Sequence, residues 1–216
     1  MPLLIFDLDG TLIDSRLDLA NAVNATRAEM GKPPLEHSTV FSYVGNGAPV
    51  LIRKAMGPDA TEDEVRHALA FFLAYYREHA VDATELYPGV RQSLDQLHAA
   101  GIPLAVLTNK PVRISHAIMD FFGLSPMMIR VYGGNSFGHK KPHPIGIDTL
   151  RTETGIAPDE TWMVGDSIVD MQTARNAGVR ACGVTWGFQP ETLGDCPPDL
   201  LVDSMEDFAS HILKNS

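Results

Sequence analysis

Residues 3–11 read LLIFDLDGT, and the junction inside this stretch decides how the rest of the chain is read. Leu3 to Phe6 is an unbroken apolar run of the kind a strand buried on both faces carries, and it gives way to two acids, Asp7 and Asp9. Such a strand leaves the core where the acids begin and presents carboxylates to something. The spacing predicts a strand over 3–8 whose alternation puts Asp7 and Asp9 on one side. Gly10 then supplies a sterically free turn, and Thr11 begins a flexible exit.

Working outward, short apolar or β-branched runs recur at 104–108, 129–132, 161–164 and 180–184, with a weaker one at 200–202. Helical patterns lie between and after them, at 90–100, 114–122, 145–154, 170–177 and 204–213. This alternation predicts an α/β fold: a doubly wound, largely parallel, Rossmann-like sheet. Residues 16–85 break the rhythm. Val65, Ala68, Leu69, Phe72, Leu73 and Tyr76 fall on one helical stripe, and Leu19, Ala22, Val23 and Met30 suggest another. The expected organisation is a discontinuous catalytic core, 1–15 and 86–216, with a helical cap domain, 16–85, inserted through linkers near Asp14–Ser15 and before Pro88–Gly89.

The 216 residues carry a formal charge of −10, from 17 Lys and Arg against 27 Asp and Glu, with no basic cluster. That balance argues against nucleic acid or an anionic membrane as partner, and requires a local cation or metal to receive any anionic small substrate. Cys182 and Cys196 match neither a redox nor a zinc spacing and read as two reduced structural thiols. Acids arrive by position 7 with no basic stretch before them, and no apolar run approaches the roughly 18 residues of a membrane span. A cytoplasmic protein is expected. The eight histidines are scattered without metal-ligand spacing, and His143, beside Lys141, is the one expected near a site. Trp162, Trp186 and the aromatics of 71–76 read as packing.

In an open parallel sheet, ligands sit outside the carboxyl ends of the strands. Four polar sets follow strand ends: Asp7 and Asp9; Thr108 and Asn109; Lys140 and Lys141 before Pro142; and Gly165, Asp166 and Ser167 with Asp170. Each alone reads as a turn, a cap or a surface charge. Together they are coherent. Four carboxylates in one crevice call for a hard cation, and oxygen ligands without His or Cys point to Mg²⁺. The Thr108 hydroxyl, the Asn109 backbone N–H and the Lys141 ammonium suit the oxygens of a phosphoryl group.

The ordered set DLDGT (7–11), LTNK (107–110), KKPHP (140–144) and GDSIVD (165–170) resembles the haloacid dehalogenase-like phosphohydrolases. The resemblance implies that Asp7 is the nucleophile forming an aspartyl-phosphate, and that Asp9 protonates the leaving oxygen and later deprotonates water. It implies Mg²⁺ held by the Asp7 carboxylate, the Asp9 backbone carbonyl and Asp166, with Asp170 assisting directly or through water. Thr108 and Lys141 would grip the phosphoryl group, Lys141 being preferred to Lys140 because the family's lysine directly precedes the proline; Asn109 and Ser167 are second choices. The Lys141–Pro142 bond is expected to be cis. Dehalogenating relatives lack the second acid, so Asp9 favours phosphoryl chemistry.

The insert resembles the cap of one large subclass. Its stretch YVGNGAPVLIRKAMG, 43–57, contains a Gly-rich turn at Gly45, Asn46 and Gly47, with Pro49 early in the next helix. Bacterial phosphoglycolate phosphatases carry a similar V/I-G-N-G-A segment, although they usually have an acid where this chain has Pro49. The resemblance therefore implies a Mg²⁺-dependent phosphomonoesterase acting on a small phosphorylated metabolite, 2-phosphoglycolate first, with Asn109, Gly45, Asn46 and Gly47 as substrate contacts. A sugar phosphatase, a pyrophosphatase and a β-phosphoglucomutase-like isomerase stay open. So does a non-catalytic binder on the same scaffold. The chain is expected to be a monomer or homodimer.

Overall fold

The structure, a computed structural model, describes residues 1–215. The chain divides into two compact units, one formed by Met1–Asp14 together with the chain from Leu86 onward, the other by Ser15–Glu85.

The first unit is built on a six-stranded sheet. Its strands are β1 (Leu3–Phe6), β4 (Leu104–Leu107), β5 (Met128–Tyr132), β6 (Thr161–Gly165), β7 (Arg180–Val184) and β8 (Leu200–Val202), in the spatial order β5-β4-β1-β6-β7-β8. Every pairing in this sheet is parallel. Two further short strands, β2 (Ile13–Asp14) and β3 (Glu85–Leu86), form a separate ribbon where the chain passes between the units.

β1, β4 and β6 are buried along their whole length, as their apolar runs require. Leu3 and Ile5 pack in one cluster with Ile147 and Leu150 of α7 (Ile145–Thr154) and Met171 and Ala174 of α8 (Ile168–Ala177). Phe6 meets Phe208 of α9 (Met205–Lys214) edge-on, ring centroids 6.0 Å apart. Helices thus cover both faces, with α5 (Val90–Ala99) and α6 (Val112–Phe121) completing the layers. From β1 the sheet grows outward through β4 and β5 on one side and through β6, β7 and β8 on the other. The order therefore reverses at β1, which places a topological switch point at its carboxyl end.

The expected strand over 3–8 stops at Phe6. The Leu8 carbonyl accepts the N–H groups of Thr11, Leu12 and Ile13 at 3.3, 3.0 and 3.1 Å, and Gly10 takes φ +83°. Asp7 consequently stays on the ladder through its N–H, while Asp9 lies on a tight turn, so the two acids do not share one face of a strand. Thr11 does not open a flexible exit either, since it is fully buried.

The second unit is helical: α1 (Arg16–Glu29), α2 (His37–Phe41), α3 (Ala48–Met56) and α4 (Glu62–His79). α4 begins with a capping box between Thr61 and Glu64, and its stripe buries Val65, Ala68, Phe72 and Tyr76. The unit is tied end to end by Asp18, 2% exposed, whose carboxylate accepts the N–H of Ala83 at 3.0 Å, the N–H of Thr84 at 2.8 Å and the Thr84 hydroxyl at 2.7 Å. Asp18→Ala would leave the two buried Thr84 donors unmatched, and a destabilisation of about 3 kcal/mol is expected in urea unfolding. A loss below about 0.5 kcal/mol, the level of an ordinary surface substitution, would contradict this role.

Candidate active site

The carboxyl ends of β1, β4 and β6 place the polar sets side by side. Asp7 follows β1 and still donates its N–H to the Val164 carbonyl at 2.9 Å, so its backbone is fixed by the sheet. Thr108, 3% exposed, follows β4 and is held in the same way through the Tyr132 carbonyl at 3.0 Å. Asp166 follows β6, and Asp170 lies in the first turn of α8.

Carboxylate oxygens of Asp7, Asp166 and Asp170 all lie within 4.8 Å of one another. One ammonium sits among them. Lys141 Nζ is 2.9 Å from Asp7 Oδ1 and 2.6 Å from Asp170 Oδ1, and its side chain is 2% exposed. Asp170 Oδ2 accepts the Ser167 N–H at 3.1 Å and hydroxyl at 2.7 Å, so both its oxygens are engaged by the protein. Asp166 Oδ2 accepts the N–H of Phe188 at 2.6 Å and of Gln189 at 3.3 Å. That loop can come so close because residue 187 is glycine: a Cβ there would stand 2.1 Å from Asp166 Cβ.

The electrostatics follow from this crowding. Burial, with further contributions from Asp170 and Asp9, pushes the Asp7 carboxyl up to about 6, against the pull of Lys141. Burial, then Asp170 and Asp7, pushes Asp166 up to about 8 despite the two backbone donors. Burial alone would depress the Lys141 ammonium, but Asp170 and Asp7 outweigh it and hold the group above the ordinary lysine value. Three carboxylates against one ammonium leave negative charge uncompensated. An all-oxygen donor set of this kind fits a hard divalent cation.

Asp9 stands beside this cluster with its own partner, Lys110, whose Nζ lies 2.7 Å from Asp9 Oδ1; the lysine side chain is 3% exposed. Asn109 Nδ2 donates to the Lys141 carbonyl at 3.1 Å, bracing the loop that carries the lysine. The Lys141–Pro142 bond is cis, as expected. His143 is exposed, accepts the Ile145 N–H at 3.2 Å and stacks on His139. In the helical unit, Gly45, Asn46 and Gly47 form the turn that leads into α3. Both cysteines carry free thiols, and burial raises that of Cys182 far above its usual value. No helix of the described residues is long and apolar enough to cross a membrane.

Three features lie outside what the sequence predicts: the Lys110–Asp9 pair, the Gly187–Gln189 loop that grips Asp166, and the Asp170–Lys141 contact, shorter than the Asp7–Lys141 contact. The nearest signals were the lysine inside LTNK and the glycine in the WGFQP segment after β7.

The chain is 38% identical over 218 residues to a phosphoglycolate phosphatase of Vibrio vulnificus, covering 98% of this chain and 96% of the relative. It is 40% identical to the phosphoglycolate phosphatase of Chromobacterium violaceum, covering 97% and 95%. The crystal structure of a predicted phosphoglycolate phosphatase from Haemophilus somnus superposes with a TM-score of 0.93 at 33% identity, covering 98% of both chains. With residues 4–184 matching the family as well, the chain belongs to the haloacid dehalogenase-like hydrolases.

Proposed function

We propose that this chain hydrolyses 2-phosphoglycolate through an aspartyl-phosphate on Asp7, with Mg²⁺ as cofactor. It is an enzyme, a phosphatase of its family, and its relatives in Vibrio and Chromobacterium are named for that substrate. The observation that carries the mechanism is the position of Asp7, at the switch point and beside both the Lys141 ammonium and the carboxylates of Asp166 and Asp170.

In the proposed reaction an Asp7 oxygen attacks phosphorus as the bond from phosphorus to the glycolate oxygen breaks. Oδ1 is held by Lys141 and the Leu8 N–H at 2.7 Å, which leaves Oδ2 as the attacking atom. Asp9 gives its proton to the departing oxygen. A water then attacks the phosphorus of the acyl phosphate, Asp9 takes its proton, and phosphate leaves as Asp7 is restored. Thr108 and Lys141 hold the phosphoryl oxygens, while Asp170 and Ser167 keep the lysine in place. Mg²⁺, held by Asp7, the Asp9 carbonyl and Asp166, would supply positive charge against the transferring group. Gly45, Asn46, Gly47 and Asn109 are assigned to the substrate. A small anion is the chemistry such a short Gly-rich turn of backbone N–H groups can receive.

Purified protein with Mg²⁺ is expected to release phosphate from 2-phosphoglycolate with a higher kcat/KM than from glucose 6-phosphate or β-glucose 1-phosphate. A preference for a hexose phosphate would overturn the substrate, and no release from any ester would make the chain a binder. Asp7→Asn should abolish turnover and phosphoenzyme trapping with the circular dichroism spectrum unchanged; Asp9→Asn should slow turnover by roughly 10²-fold or more. Full activity in folded Asp7→Asn protein would end the mechanism.

The cofactor can be tested without turnover. Because Asp7 and Asp166 are raised from 3.8 to about 6 and about 8, the metal-free fold holds protons that the unfolded chain has released. Their contribution to stability is complete below about pH 4 and is lost as pH rises through 6 and 8. Mg²⁺ selects the ionised forms, so the Tm gained on adding it should be larger at pH 8 than at pH 5.5, and Asp166→Asn should remove most of that gain. A gain independent of pH, or one kept in Asp166→Asn, would contradict the assignment. EDTA should abolish activity and added Mg²⁺ restore it.

A further inference from the structure

The mechanism above leaves one buried cation without a task. Lys110 stands two residues beyond the expected phosphate contact Thr108, yet its side chain is 3% exposed and its ammonium touches Asp9. Burying an ammonium is costly unless it is paired. Here the partner is the carboxylate that the proposed reaction uses as proton carrier. The two lysines divide the two reacting acids between them, Lys141 serving Asp7 and Lys110 serving Asp9.

The root of Lys110 is also fixed. Its N–H donates to Thr108 Oγ1 at 3.3 Å, its carbonyl accepts the Gly134 N–H at 2.8 Å, and Pro111 follows as the cap of α6. Asp9, by contrast, sits on the turn after β1, where no strand alternation sets its direction. A lysine on a rigid stem therefore aims a carboxylate carried on a turn.

We infer that Lys110 is a positioning residue for proton transfer: its ammonium anchors Oδ1 of Asp9 and so aims the carboxyl group that delivers the proton to the leaving oxygen. The inference rests on the reading of Asp9 as acid/base. It predicts a dependence on the leaving group. An alkoxide must be protonated as it departs, whereas p-nitrophenolate leaves as a stable anion and needs little help from Asp9.

The test compares kcat/KM of the Mg²⁺-loaded wild type and Lys110→Met on 2-phosphoglycolate, on ethyl phosphate and on p-nitrophenyl phosphate. This constant reports steps up to the first phosphoryl transfer and omits hydrolysis of the phosphoenzyme. Both alkyl-to-aryl ratios should fall by roughly tenfold or more in Lys110→Met, within the range of general acid catalysis. In an Asp9→Asn background, removing Lys110 should lower them no further. Should Lys110→Met fail to fold, Lys110→Ala removes the same ammonium without forcing a long apolar chain against Asp9, and the same ratios are read in it. Equal losses on all three esters would mean that Lys110 only supports the fold. A loss confined to 2-phosphoglycolate would mean that it binds the substrate carboxylate. Either result overturns the inference. A wild type inactive on every ester would instead sink the phosphatase reading on which it stands.

Discussion

The site depends on the Lys141 ammonium, buried between Asp7 and Asp170 at 2.9 and 2.6 Å. Like charges about 4 Å apart repel by roughly 4 kcal/mol at an effective dielectric near 20, and three carboxylates within 4.8 Å carry three such repulsions. One lysine in contact with two of them relieves part of the strain and leaves the rest. Burial first, and that remainder after it, raise the Asp7 and Asp166 carboxyls. The fold thus maintains a crevice with unmet demand for positive charge, and this demand prepares it for a cation and for an anionic phosphoryl group brought with one.

The sheet makes this arrangement rigid. Asp7 and Thr108 are tied into the parallel ladders by their own N–H groups, Asp166 ends β6 and is gripped from the Gly187–Gln189 loop, and Asp170 closes a capping box with Ser167. Lys141 alone comes from a longer connection, between β5 and α7, and there the Asn109 side chain braces its carbonyl. Hydrogen bonds from backbone amides hold their direction better than those from flexible side chains, which matters where displacement by about an ångström can cost orders of magnitude in rate.

Much of this was legible because the local signals were of the right kind. Apolar runs marked β1, β4 and β6, and the polar residues after them, Asp7, Thr108 and Asp166, stand at one end of the sheet by the parallel topology alone. Other features had no local signature. Leu8 continues the apolar run and is fully buried, yet it lies in a turn, because burial does not distinguish a strand end from a packed loop. Lys110 pairs with a residue 101 positions away, and nothing around it separates a buried ammonium from a solvated one. The glycine at 187 matters only because Asp166 approaches it, a closeness that tertiary packing alone creates.

The central place of β1 has a consequence for how the molecule is made. In the register of the sheet Leu4 lies beside Leu104 and Trp162, so both ladders of the first strand join segments far apart in the chain. During synthesis LLIF leaves the ribosome long before β4, and longer still before its second neighbour, β6. Pairings of such long range are slow, and an apolar strand waiting for them is exposed to wrong partners. The helical insert, closed on itself by Asp18, Ala83 and Thr84, can be complete long before then. The acidic crevice therefore belongs to the last stage of folding, and no nascent fragment ending before β6 carries the Asp166 and Asp170 carboxylates that give the site its charge.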